Sequence, residues 1–255
     1  MTTATRAPPR SSAPPARPPV LPPRPPSVAS YRPPPPPEPE PPGFHMSGTE
    51  VLHLGGSLAV LSVAFAFAFA HCQRGPLDIR VPDAAEINTA LGLLPMTALI
   101  VLLGFLLHEL AHKLVAQRLH LWAEFRASAG GLGMALVACV FTPIMFAAPG
   151  AVLIVGNATR RDGAHISIAG PATNLLIGFA FLPFVGSLKN PAEFGPCFGN
   201  FFQAAVLINA VLAIFNLLPF PPLDGSKIVR WSLPVYLGML ALAGLLFYVA
   251  EFGGL

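Results

Sequence analysis

The sequence predicts an all-α membrane protein with about five transmembrane helices and one re-entrant segment that carries a short strand. Three observations point there. Hydrophobic residue types make up 53% of the chain and charged types only 11%, too few charges to cover a water-facing surface. Beyond residue 43 the chain divides into uncharged stretches of bilayer length, about 20 residues each. One further uncharged stretch is repeatedly broken by glycine and proline. The net charge of +3 forms no basic stripe interleaved with aromatics, so nucleic-acid binding is excluded. Cys72, Cys139 and Cys197 are odd in number and widely spaced, encoding neither a disulfide framework nor a thiolate metal cluster.

Residues 1–43 hold 18 of the 31 prolines, all within 8–42. With few backbone donors and no apolar periodicity, this is read as a disordered, polyproline-II-biased tail ahead of a membrane domain over residues 44–255. Its run RPPVLPPRPP fits an aromatic-lined polyproline groove on a partner, although an extended spacer is the plainer reading. In the body, Leu52–His71, Leu91–Gln117, Ile166–Val185, Phe201–Leu218 and Leu233–Ala250 read as spanning helices. The sixth stretch, Gly131–Val155, is long enough to cross but contains Gly131, Gly133, Pro143, Pro149 and Gly150.

The second helix carries His108-Glu109-Leu110-Ala111-His112. Histidines four apart project from one helical face, where two imidazoles can hold one zinc ion. Zinc lowers the pKa of a bound water toward about 7, and an adjacent carboxylate, here Glu109, can take the proton as that water attacks a carbonyl. The seventeen residues Leu91–Leu107 before His108 contain no ionisable group. Three ionisable side chains at such depth are costly and mark a function by default.

Catalytic zinc ordinarily has three protein ligands plus water. Asp224, Glu124, His120 and His165 are candidates for the third, with Asp224 preferred. It closes Asn216-Leu217-Leu218-Pro219-Phe220-Pro221-Pro222-Leu223-Asp224-Gly225, whose prolines turn a helix into extended chain. Irregular backbone at membrane depth is tolerated only where it is buried in protein or lines a cavity.

In these residues the chain resembles the site-2 protease family of intramembrane zinc metalloproteases. His108–His112 stands where that family has H-E-x-x-H, and Asn216–Gly225 is similar to its N-x-x-P-x-x-x-x-D-G segment. Gly170-Pro171-Ala172-Thr173-Asn174 resembles the G-x-x-x-N element of its middle core helix. The resemblance covers roughly residues 91–230. It implies Zn2+ on His108, His112 and Asp224, with Glu109 as general base, hydrolysing a peptide bond in the transmembrane segment of a membrane-protein substrate. The chain departs from the family in carrying no inserted soluble regulatory domain, in its proline-rich tail and in the length of Gly131–Val155.

The chemistry imposes a parity condition: Asp224 must emerge on the membrane face that carries His112. Arg6, Arg10, Arg17, Arg24 and Arg32 place the N-terminus, and with it the active site, toward the cytoplasm by the positive-inside rule. A single crossing by Gly131–Val155 would strand Arg160, Arg161 and Asp224 on the wrong face, so the segment is expected to dip in and return. Within it Val152-Leu153-Ile154-Val155 reads as a short strand, and Val152 and Ile154 are expected to hold an unwound substrate by edge pairing. Asn174 and Asn216 are candidates to bind substrate backbone or a developing oxyanion, with interhelical hydrogen bonding as the competing reading. A divalent-metal transporter and a non-catalytic metal-binding scaffold are the alternatives to the peptidase.

Overall fold

The computed structural model describes residues 44–72, 74, 78–142, 149–186 and 200–252. The proline-rich tail and its expected partner lie outside them. Helix α1 spans Gly48–Ala70, and α2 (Ala84–Val101) continues through a π-helical turn, Leu102–Leu106, into α3 (Leu107–Arg118). Strand β1 (Trp122–Ala127), helix α4 (Ala129–Phe141) and strand β2 (Gly150–Val155) follow. Then come α5 (Arg160–Phe181), a 3-10 turn at Leu182–Phe184, α6 (Phe201–Asn216), a short α7 (Gly225–Trp231) and α8 (Leu233–Phe252).

Local chemistry sets these boundaries. Ser47 caps α1 by accepting from the Glu50 amide, and Asn200 caps α6 by accepting from that of Gln203. Asp83 with Glu86 and Thr159 with Asp162 form reciprocal capping boxes at the starts of α2 and α5, each satisfying two otherwise orphaned donors.

Four helical stretches are long and apolar enough to cross a membrane: Gly48–Ala70, Ala84–Arg118, Arg160–Phe184 and Leu233–Phe252. The fifth expected span is shorter than its apolar run. Between Asn200 and Leu217 only 16 residues are helical, about 24 Å at 1.5 Å per residue. It is nevertheless well enclosed, with none of its residues exposed and Ala204, Ala205, Val206, Ala210 and Ala213 fully covered. Small side chains let α5 and α8 close on it. One sequence expectation is corrected: Cys72 is disulfide-bonded, which an odd number of widely spaced cysteines does not announce.

The re-entrant expectation is met in a particular form. β1 and β2 pair antiparallel from Trp122↔Val155 to Ala127↔Gly150, so the chain enters and leaves this segment at the same end. The Ser128 amide donates to the Pro149 carbonyl (2.8 Å) at the base of the excursion. Between them α4 runs along α1 to the opposite end, where the Arg80 amide meets the Phe141 carbonyl (3.4 Å).

The outer edge of β1 is closed by side chains. The Phe125 amide donates to Glu50 Oε1 (2.9 Å), the Ala127 amide to His53 Nδ1 (3.3 Å), and Lys113 Nζ donates to the Ala123 carbonyl (2.8 Å). Those three residues therefore turn their backbone groups away from β2. Their cross-strand partners Ile154, Val152 and Gly150 must do the same on the far side, because antiparallel pairs alternate between exchanging hydrogen bonds and facing outward. Among the described residues no third strand occupies that edge of β2.

Candidate metal centre

α3 packs on α5, and α5 on α7, which brings three sequence-distant side chains together. His108 Nε2 and His112 Nε2 lie 3.0 Å apart. Asp224 Oδ2 is 3.6 Å from the first and 3.1 Å from the second. Only 4%, 7% and 9% of these residues is exposed. Among the described residues this is the group of histidine, cysteine and carboxylate side chains close enough to hold one metal ion.

The hydrogen-bond network decides what this triangle is. His112 Nδ1 lies 2.7 Å from the Ile166 carbonyl, which can only accept. His108 Nδ1 lies 2.6 Å from Asn174 Oδ1. The Asn174 amide orientation is fixed because Nδ2 donates to the Gly104 carbonyl (2.7 Å) and to Asn209 Oδ1 (2.9 Å). Both Nδ1 atoms therefore carry hydrogen, so each ring in its neutral form presents an Nε2 lone pair inward. Two lone pairs and a carboxylate oxygen crowded out of water repel one another unless a cation lies among them. Ligands about 2.0–2.1 Å from zinc in a tetrahedron sit about 3.3 Å from one another, close to the three separations observed. The residues fit zinc.

Gly170 explains how α3 and α5 approach so closely. A Cβ there would stand 2.4 Å from His108 Nε2, 2.5 Å from His112 Nε2 and 2.6 Å from His108 Cε1. Any larger residue would occupy the space between the imidazoles. Asp224 stands at the start of α7 but makes no side-chain cap to it, leaving its carboxylate for the histidines. Gly225 lets that turn form, since a Cβ there would lie 2.1 Å from the Leu217 carbonyl oxygen. The π turn at Leu102–Leu106 adds a residue to one helical turn, swinging the following face by about 100°. Its Gly104 carbonyl takes the Asn174 amide.

Glu109 has His108 and Asp224 as its electrostatic neighbours and is partly buried. The other sequence candidates for a third ligand are elsewhere. Glu124 accepts from Ser47 Oγ (2.6 Å) and pairs with Arg126 (3.1 Å). His165 packs edge-on against Trp231, centroids 5.2 Å apart. His120 is exposed in the left-handed turn that ends α3. Asn174 is wholly buried and spends its oxygen and both amide hydrogens within the protein. It has no donor left for a substrate carbonyl, so its place is behind His108. Asn216, the last residue of α6, donates to the Leu212 carbonyl (2.9 Å) and is partly exposed. Val152 and Ile154 lie half-buried on β2.

Sequence reasoning missed Gly170 as a contact of the histidines, Asn209 as the support of Asn174, and the buried Glu50–Lys113 pair (2.6 Å). For the pair a signal existed: a lysine one residue after His112, in a membrane helix, demands a partner.

Replacing Asn174 by alanine is expected to lower zinc affinity about 10- to 100-fold, read by competition with a chromophoric chelator. It also orphans the Gly104 carbonyl and the His108 Nδ1–H, each a loss of about 1–3 kcal/mol. Unchanged zinc affinity would contradict this orienting role.

Helices that span a bilayer and a buried zinc-fitting centre bearing an H-E-x-x-H helix define a membrane-integral zinc metallopeptidase. The sequence model of Peptidase family M50 matches residues 187–240. "Putative zinc metalloprotease MJ0611" of Methanocaldococcus jannaschii is 32% identical over 190 residues, covering 74% of this chain and 87% of that protein. "Putative zinc metalloprotease YwhC" of Bacillus subtilis is 31% identical over 56% of this chain and 72% of its own. No solved structure matches. The chain belongs to peptidase family M50, the site-2 protease family.

Proposed function

We propose that this metallopeptidase cuts a peptide bond within the transmembrane segment of a membrane-protein substrate, with His108, His112 and Asp224 as the zinc ligands and Glu109 as general base. The convergence of two Nε2 lone pairs and Asp224 Oδ2 within 3.6 Å, their Nδ1 hydrogens committed elsewhere, carries the reading. Bound zinc supplies an acidified water and polarises the scissile carbonyl. Glu109, one residue from the first ligand, takes the proton from the attacking water and returns it to the leaving amine. Asn174 holds His108 in its productive tautomer. Asn216, which retains an amide hydrogen beyond its bond to Leu212, is the side chain best suited to the oxyanion.

A transmembrane helix hides its carbonyls in internal hydrogen bonds, so the substrate must unwind before water can reach it. Unwound backbone needs new partners, and the outward amides and carbonyls of Gly150, Val152 and Ile154 provide them by strand addition. Proline at Ile154 removes one donor from that edge. The expected result is an approximately tenfold rise in KM for a single-span helical substrate, the equivalent of about one hydrogen bond, with zinc content retained. Mass spectrometry of the products tests the function itself: new termini inside the substrate's apolar span support it, and cuts confined to flanking soluble sequence refute it.

The active site is proposed to face the cytoplasm. Arg118, Arg126, Arg160, Arg161, Lys227 and Arg230 follow or flank the metal-bearing elements, and such excess positive charge favours the inner face. An accessibility reporter at Thr159 is expected on the same side as one at the N-terminus; opposite sides would overturn this orientation.

A further inference from the structure

We propose that Glu50 and Lys113 are positioning residues that close one edge of the strand pair and lock it to the metal-bearing helix, leaving β2 as the side to which substrate adds. This rests on the reading of β2 as the docking strand. Glu50 is fully buried and Lys113 is 2% exposed. Lys113 Nζ reaches both Glu50 Oε2 (2.6 Å) and the Ala123 carbonyl (2.8 Å), while Glu50 Oε1 accepts from the Phe125 amide (2.9 Å). One ion pair thus joins three elements, α1, α3 and β1.

Stability alone does not account for it. A buried ion pair replaced by well-packed apolar side chains is commonly neutral or stabilising. An apolar pair, however, has nothing to offer strand backbone. This pair and His53 occupy the Ala123 carbonyl and the Phe125 and Ala127 amides, which would otherwise present β1 as a competing edge. Substrate is thereby restricted to the Gly150–Val152–Ile154 side. Lys113 also follows His112 directly, so the bond to Ala123 refers the sheet to the helix that carries both imidazoles. Placement of the scissile carbonyl over the metal requires such a fixed reference, because tolerances at a reacting centre are about 0.5 Å.

The test uses the full-length protein in lipid nanodiscs with a single-span helical substrate. The double variant Glu50→Met, Lys113→Met removes the bonds to Ala123 and Phe125 without leaving a lone buried charge. The milder His53→Leu removes only the acceptor for Ala127 and serves if the double variant fails to fold. Zinc content, KM and kcat are measured for each, together with photo-crosslinking from a probe at Leu153 on β2. The expected result is unchanged zinc content, KM raised at least tenfold in the double variant and about threefold in His53→Leu, kcat within threefold of wild type, and crosslinking reduced in parallel. Undiminished crosslinking and unchanged KM in whichever variants fold overturn the proposal while leaving β2 as the docking strand. Absence of crosslinks already in the wild type overturns the docking reading and the proposal with it.

Discussion

Glu109→Gln is expected to abolish cleavage while leaving zinc in place. Glutamine keeps the size of the side chain and cannot accept the proton of the attacking water, and the three proposed ligand atoms belong to other residues. Loss of a general base costs about 10²- to 10⁴-fold in turnover, so cleavage of a helical substrate should fall by at least 10²-fold with zinc content unchanged. Turnover within threefold of wild type would remove Glu109 from the mechanism. Loss of zinc in step with activity would recast it as a structural support of the centre.

Gly170→Ala is expected to produce the complementary defect, loss of metal. The added methyl would lie 2.4–2.6 Å from atoms of His108 and His112, well inside van der Waals contact. Neither ring can swing aside, because Asn174 and the Ile166 carbonyl hold their Nδ1 atoms at 2.6 and 2.7 Å. Zinc affinity should drop by more than about 100-fold, beyond the loss expected for removal of an outer hydrogen-bonding partner, and activity should follow. Leu176→Ala on the exposed face of the same helix should change neither. Full zinc loading of Gly170→Ala would mean that α3 and α5 separate more readily than their packing implies.

Much of the centre was legible because its chemistry is local in sequence. Helical periodicity alone places His108 and His112 on one face, and proline-broken chain before Asp224-Gly225 marks irregular backbone that has to line something. Charge parity calls for Gly131–Val155 to return to the side it left, and the pairing of Ala127 with Gly150 brings the chain back to the same end of the strand pair. The supports were less legible because they are long-range. Glu50 and Lys113 are 63 positions apart, and nothing in either neighbourhood names the other.

Asn174 illustrates the same limit from the opposite direction. Its polarity inside an apolar helix announced a role, but only coordinates reveal that Gly104 and Asn209 consume its amide hydrogens and His108 its oxygen. A side chain free to meet substrate and one wholly spent on the scaffold look identical in sequence. The π turn was equally invisible, since Leu102-Leu103-Gly104-Phe105-Leu106 contains no residue that distinguishes it from ordinary helix. α6 starts at Phe201, as its apolar run does, and is shorter only at its far end, where Leu217 closes it before the prolines.

X-ray absorption at the zinc edge, on the purified protein and on His108→Ala and Asp224→Ala, reports the ligand shell itself. The expected wild-type shell is of nitrogen and oxygen only, containing two imidazoles, with one imidazole fewer in the first variant and a lost carboxylate oxygen in the second. A shell containing sulfur, or one left unchanged by both substitutions, would place the metal elsewhere and contradict that ligand set.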